Sequence, residues 1–262
     1  MTQTPVAGLR DHAAQTPEDP WLFRREGWNW RWISFRAAAA DAVLAALSSG
    51  GGAPLPLGAE GRGTRGGGDG GGGGQGLSFE AVLQDLACQA AGQPIVLSGP
   101  DGSVELSADD LAAAAAAVAG LLRAATSGQR DILVLGGALD DPATRVLLSW
   151  ATVAGAALLL EAGSGNVLGT AVWARPTVFA GTVEEISRLR LAAERQERGW
   201  LRRRFRRRVG LPFGRLHTVL VTDCGSLPPE EESFWRERGV AVRFLPQCGI
   251  AWYISRRGDP DA

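Results

Sequence analysis

The chain has 262 residues, 45% of them hydrophobic, and a formal net charge of -1. That is apolar material for one sizeable core or two small ones, and no global field draws the chain toward nucleic acid or lipid. All 27 basic residues are Arg, which excludes a Schiff-base Lys, the Lys of a Walker-type loop and any Lys point charge on a carboxylate or phosphate.

The 3 cysteines, Cys88, Cys224 and Cys248, are far apart and form no CxxC pair. The spacing argues against a disulfide framework or a zinc knuckle and fits a reducing compartment. His12 and His217 are the only imidazoles, and no HExxH occurs, so a His-based metal site has little material. The start, MTQTPVAGLRDHA, lacks an apolar h-region. The most apolar stretch, 146–160, is interrupted by Ser149, Trp150, Thr152 and Gly155. It is shorter than the ~20 residues a membrane span needs. The expectation is a cytoplasmic protein, with peripheral attachment to a membrane as the variant.

Along the chain, 1–47 predicts a helix–hairpin–helix piece. A Gly-dominated segment, 48–76, ends in GGGDGGGGGQG and reads as a flexible linker. The body is 77–262. The two sides of the linker resemble one another. LRDHAAQTPEDPWLF at 9–23 aligns with LQDLACQAAGQPIVL at 83–97, placing Leu9, Asp11, Ala13, Gln15 and Pro20 on Leu83, Asp85, Ala87, Gln89 and Pro94. WRWISFRAAAADAVLAAL then aligns with VELSADDLAAAAAAVAGLL, with Ser34 on Ser107. Each copy predicts helix, turn, two short strands and a Ser-capped helix, and Ser107 with Asp110 reads as a capping box. Ala-rich helices match cheaply; the Asp, Gln, Pro and Ser matches carry the repeat.

In the body, ILVL at 132–135 predicts a buried strand. Asp140 or Asp141 caps the next helix, with Pro142 in its first turn, and the helix ends near Gly155. A strand at 156–160 completes a β-α-β unit, hence a parallel sheet with a right-handed crossover. Further strands are expected at 177–180, 217–223 and 240–245, with helices at 184–208 and 228–238. Two adjacent carboxylate pairs, Asp109–Asp110 and Asp140–Asp141, sit at helix starts, where capping accounts for them.

Three other features have a functional and a plain reading. WLRRRFRRR at 200–208 suits an anionic surface through Arg202, Arg203, Arg204, Arg206, Arg207 and Arg208, with Trp200 and Phe205 beside the charges. The plain reading is a solvated helix whose Arg pair with Glu184, Glu185, Glu194 and Glu197. Nucleic acid is the weaker partner, since no binding motif accompanies the run. WNWRW at 28–32 puts Trp28, Trp30 and Trp32 on one face of a strand, either as a ligand platform or packed against a helix. Cys224 and His217 form a nucleophile pair only if the strand between them does not hold them apart; buried Cys acting as small hydrophobes is the plain reading.

The order of these segments resembles the adenylate-forming acyl-CoA synthetases, long-chain fatty-acid branch. LSADDLAAAAAAVAGLLRA is similar to the family's "L-S/T-Y-x-E-L" opening. ILVLGGALDDPATRVLLSWATVAGAALLLEAG is similar to its β-α-β stretch, ARPTVFAGTVEEISRL to its "R-P-T" segment, and GRLHTVLVTDCGSLPPEEESFWRERGVAVRFLPQCGIAW to the stretch ending in "Y-G-x-T-E". The resemblance covers most of 77–252 and implies a partial three-layer α/β/α body on a parallel or mixed sheet.

The departures bear on chemistry. The family binds ATP phosphates on a loop "S-G-T-T-G-x-P-K"; the matching stretch here is SGNVLGTAVWA, short and without Lys. "Y-G-x-T-E", whose Glu holds magnesium, becomes Cys248-Gly249-Ile250-Ala251-Trp252, which leaves no hard oxygen ligand for Mg²⁺. The adenine-facing "G-x-A-P" becomes Asp223-Cys224-Gly225-Ser226. The resemblance therefore places adenine-region positions at Cys224, Gly225, Ser226 and Gly249, names no catalytic residue and no metal ligand, and implies that the C-terminal lid domain with its further Lys is not part of these residues. ATP, Mg²⁺ and CoA are the family's cofactors, and none is expected here. The implied function is a homologue of the ligases, non-catalytic or with residual activity. It would bind a protein partner, an anionic membrane surface or an acyl group. The alternative is a ligase subunit in lipid metabolism completed by another chain.

Overall fold

The computed structural model describes residues 3–26, 29–48, 79–99, 102–122, 130–135, 142–160, 174–198, 215–223 and 226–245. The first helix–hairpin–helix unit is α1 (Pro5–Gln15), β1 (Pro20–Glu26), β2 (Asn29–Ser34) and α2 (Phe35–Ser48). The second is α3 (Phe79–Ala90), β3 (Ile95–Gly99), β4 (Gly102–Leu106) and α4 (Ala108–Leu122). Both copies thus have the predicted order, and the starts of α1, α2 and α4 are chemically capped. Thr4 Oγ1 accepts from the Ala7 N–H at 3.3 Å ahead of Pro5, and Ser34 Oγ accepts from the Ala37 N–H at 3.2 Å. The Ser107 N–H donates to Asp110 Oδ2 at 3.0 Å while the Asp110 N–H donates to Ser107 Oγ at 3.1 Å, the reciprocal box expected there.

The body follows as β5 (Ile132–Leu135), α5 (Pro142–Ala154), β6 (Ala157–Leu160), β7 (Val178–Gly181), α6 (Val183–Arg198), β8 (Thr218–Val221), α7 (Pro229–Glu237) and β9 (Ala241–Phe244). Gly155 ends α5 at φ +68°, a conformation that costs glycine little. A Cβ there would come within 2.6 Å of the His12 ring. At Gly8 a Cβ would come within 2.9 Å of the Val153 Cα, so small residues let α1 lie directly on α5.

The main sheet has the order β2-β1-β6-β5-β7-β8-β9. β1 and β2 are antiparallel and every other pairing is parallel. Taken by position in the chain, the five strands of the body run 2-1-3-4-5, a doubly wound order whose switch point falls between β5 and β7. Side chains alternate between two cores, as a pleated strand requires. Leu133, Leu158, Val178 and Leu220 join the helices α1 to α5 on one face, while Val134, Leu159, Phe179 and Val219 join α6 and α7 on the other. The result is the expected three-layer α/β/α arrangement.

Two features lie beyond local pattern. A bulge between Pro20 and Leu22 sends both Trp21 and Leu22 into the first core. In addition, β1 pairs in parallel with β6, Leu22 opposite Leu158, so the piece expected as 1–47 shares a sheet with the body. β3 and β4 form a separate two-stranded sheet. Residues 49–78, which include most of the expected linker, lie outside the described residues, as does the helix expected at 184–208 beyond Arg198.

Candidate functional site

The two ends of the parallel strands differ in chemistry. At the amino ends, polar residues staple the strands together. Arg130 Nε donates to the Gly155 carbonyl at 2.7 Å and Nη2 to the Pro20 carbonyl at 2.6 Å. Its guanidinium stacks over Phe35 and lies 3.4 Å from Asp19. Burial lowers the Arg130 pKa and Asp19 partly offsets that. Thr177 Oγ1 accepts from the Ile132 N–H at 2.8 Å and donates to Asp131 Oδ1 at 3.0 Å. His217 Nε2 lies 3.3 Å from the same Asp131 oxygen, and Nδ1 lies 2.9 Å from Thr218 Oγ1. An Asp–His–Thr chain suggests catalysis at first sight. Thr218 is fully buried, however, and the groups satisfy one another across β5, β7 and β8, which is a structural role.

At the carboxyl ends lies the switch point, where a doubly wound sheet places its ligand crevice. The helices α5 and α6 follow the two strands that flank it, and the first N–H groups of α6 would ordinarily suit an anion. They are already engaged. Glu185 Oε2 accepts from the Thr182 N–H at 2.8 Å, and the Glu185 N–H donates back to Thr182 Oγ1 at 3.3 Å. Asp223, arriving from the end of β8, accepts from the Val183 N–H at 3.2 Å. Two carboxylates therefore occupy the turn that a phosphate would otherwise approach.

Among the positions singled out from the sequence, Ser226 is exposed ahead of α7. Cys224, Gly225 and Gly249 lie outside the described residues, as do Arg202, Arg203, Arg204, Arg206, Arg207 and Arg208. Of the Cys–His pair, His217 directly precedes β8 and Cys224 lies outside the described residues. Trp32 is 53% exposed, so at that position the strand face does not pack against a helix. Trp28 and the side chain of Trp30 lie outside the described residues. Among the described residues no group of three His, Cys, Asp or Glu side chains is placed to hold a metal ion, and no helix is long and apolar enough to cross a membrane.

One charged pair was not anticipated. Arg145 Nη1 on α5 lies 2.8 Å from Asp85 Oδ2 on α3, both side chains almost wholly buried. The only sequence signal was the Asp-x-x-x-Gln spacing shared by the two repeats, and it says nothing of a partner more than fifty residues away.

Neither a family model nor a characterised protein matches the sequence. Solved structures do match the fold. The N-terminal domain of FACL13 from Mycobacterium tuberculosis superposes with a TM-score of 0.64 at 11% identity, over 92% of this chain and 75% of that one. A fatty acyl-adenylate ligase from L. pneumophila gives 0.62 at 10%, over 91% and 53%. The nonribosomal peptide synthetase FmoA3 gives 0.66 at 13%, over 91% and 30%. With its doubly wound sheet and two helical layers, this chain has the fold of the N-terminal domains of adenylate-forming acyl-CoA and acyl-AMP ligases.

Proposed function

We propose that this chain is a non-catalytic relative of the adenylate-forming ligases that acts by binding. The observation that carries the reading is the start of α6, where the Thr182 and Val183 N–H groups are held by Glu185 and Asp223. A triphosphate brought to this end of the sheet meets two negative charges instead of free donors. The sequence adds no Lys anywhere and no acidic residue in Cys248-Gly249-Ile250-Ala251-Trp252. Adenylation needs the phosphate charge neutralised in the transition state, and nothing among these groups does so.

The L. pneumophila ligase was solved with acyl adenylate and pyrophosphate, which sets the assay. Pyrophosphate exchange with a panel of fatty acids is expected to stay at background, and ATP–Mg²⁺ to leave the melting temperature unchanged. Turnover would overturn the reading. Stabilisation by ATP without turnover would favour a ligase subunit completed by another chain.

The partner proposed is an anionic lipid surface. On α6, Glu184, Arg188, Leu191 and Arg195 share the outward stripe, and Leu191 is 49% exposed between two Arg. The run WLRRRFRRR follows in the sequence. Sedimentation with phosphatidylserine vesicles is expected to pull down the chain, and Arg203→Glu with Arg207→Glu to abolish it. Equal binding to neutral vesicles, or none to either, would overturn this part.

A further inference from the structure

Among the described residues, Trp32 and Leu191 are the large hydrophobic side chains that stand exposed. They lie far apart in the chain, on β2 and α6, yet on the same side of the main sheet. Across the strands the register runs Trp32, Phe23, Leu159, Val134, Phe179. Register partners project from one face of a sheet, and the last four belong to the core that α6 and α7 cover. Ile33, the next residue of β2, packs on the opposite core. The apolar row is sealed from Phe179 to Leu159, half-buried at Phe23 and open at Trp32.

The layer on that side is uneven in position and in charge. α6 lies against β7 and β8, and α7 lies against β9. β2 is the opposite edge, four strands from β7, or about 19 Å away at the usual strand spacing. α7 exposes Glu230 and Glu237 beside an Arg236–Glu232 ion pair, while Arg238 is drawn over Phe234. An anionic surface resting on the outward stripe of α6 therefore meets carboxylates toward β9 and an indole toward β2. We propose that this surface, the lipid headgroup layer inferred above, leans toward β2, with Trp32 entering it as a second apolar anchor and α7 held away. The inference rests on that lipid reading and adds the orientation. An indole has an apolar body and one N–H donor, which suits the water–lipid boundary. A stable protein partner would need about 800 Å² of contact on each side, far more than one half-exposed side chain supplies.

The test uses the full chain and phosphatidylserine vesicles. Trp32→Ala is expected to weaken sedimentation with them roughly tenfold, the scale of losing half an indole's burial, with the circular dichroism spectrum unchanged. The fluorescence difference between the parent and Trp32→Phe reports the Trp32 indole. It is expected to be quenched by lipids brominated on their acyl chains. A parent chain that does not sediment overturns the lipid reading and this orientation with it. A parent that sediments while Trp32→Ala binds equally well, or while the Trp32 signal is not quenched, overturns the orientation alone. A parent dimer dispersed by Trp32→Ala would assign the indole to a second copy and also overturn it. Should Trp32→Ala lose its fold, the quenching of the Trp32 signal decides.

Discussion

The two helix–hairpin–helix units carry the same local code and end in different places. In the first, β1 pairs with β6 and the hairpin extends the seven-stranded sheet; in the second, β3 and β4 pair with each other and form their own. In the first, Asp11 and Gln15 face solvent; in the second, Asp85 and Gln89 are buried, Asp85 against Arg145. Caps, turns and strand lengths are properties of a dozen neighbouring residues. Burial depends on what arrives from elsewhere, so a repeated motif does not have a repeated role.

The largest effects should come from the hairpins. Trp21→Ala empties a fully buried bulge position shared with Phe35 and is expected to lower stability by about 3–5 kcal/mol. Its counterpart Ile95→Ala, in a two-stranded sheet, should cost about 2 kcal/mol. Urea denaturation followed by circular dichroism checks both; equal losses would mean that joining the main sheet adds nothing.

Asp85→Ala removes the buried carboxylate that lies against Arg145 and is expected to cost about 3–5 kcal/mol. Asp11→Ala, at the surface, should stay within about 0.5 kcal/mol. The same denaturation assay compares them, and a large Asp11 effect would erase the contrast.

The same pair makes a pH prediction. The folded-state pKa of Asp85 is raised from 3.8 to about 6, so folding favours its protonated form. The stabilisation this gives is full below about 3.8, fades through about 6 and is gone at pH 7 and above. The urea midpoint should therefore have a component that falls between pH 4 and pH 7, and Asp85→Asn should remove that component. A midpoint that rises through this window because of Asp85 would contradict the burial argument.

The smallest effect sharpens what the copies share. Ser34→Ala and Ser107→Ala each remove a cap and should cost about 1 kcal/mol. Ser107→Ala should be the larger of the two, because it also breaks the box with Asp110. Thermal melts would show the difference.

Most elements were legible before folding. Pro142 opening α5, Gly155 closing it, the Ser107–Asp110 box and the apolar runs of β5, β6, β7 and β8 each depend on residues adjacent in the chain. For the same reason the resemblance could be read from segment order although identity to the superposed structures is only 10–13%. The candidate site was less legible. No local pattern says that Asp223, forty residues from Val183, will accept from its N–H, or that Asp131 will face Thr177 and His217.

By itself, the sequence determined the helices and strands, their caps and the lack of ammonium groups, because each depends on residue type and near neighbours. Only the tertiary structure decided that the first hairpin joins the sheet, that one Asp of a repeated pair is buried beside an Arg, and that carboxylates fill the start of α6. Those outcomes rest on contacts between segments far apart in the chain, and parallel pairing and helix packing create them only once the whole sheet has assembled.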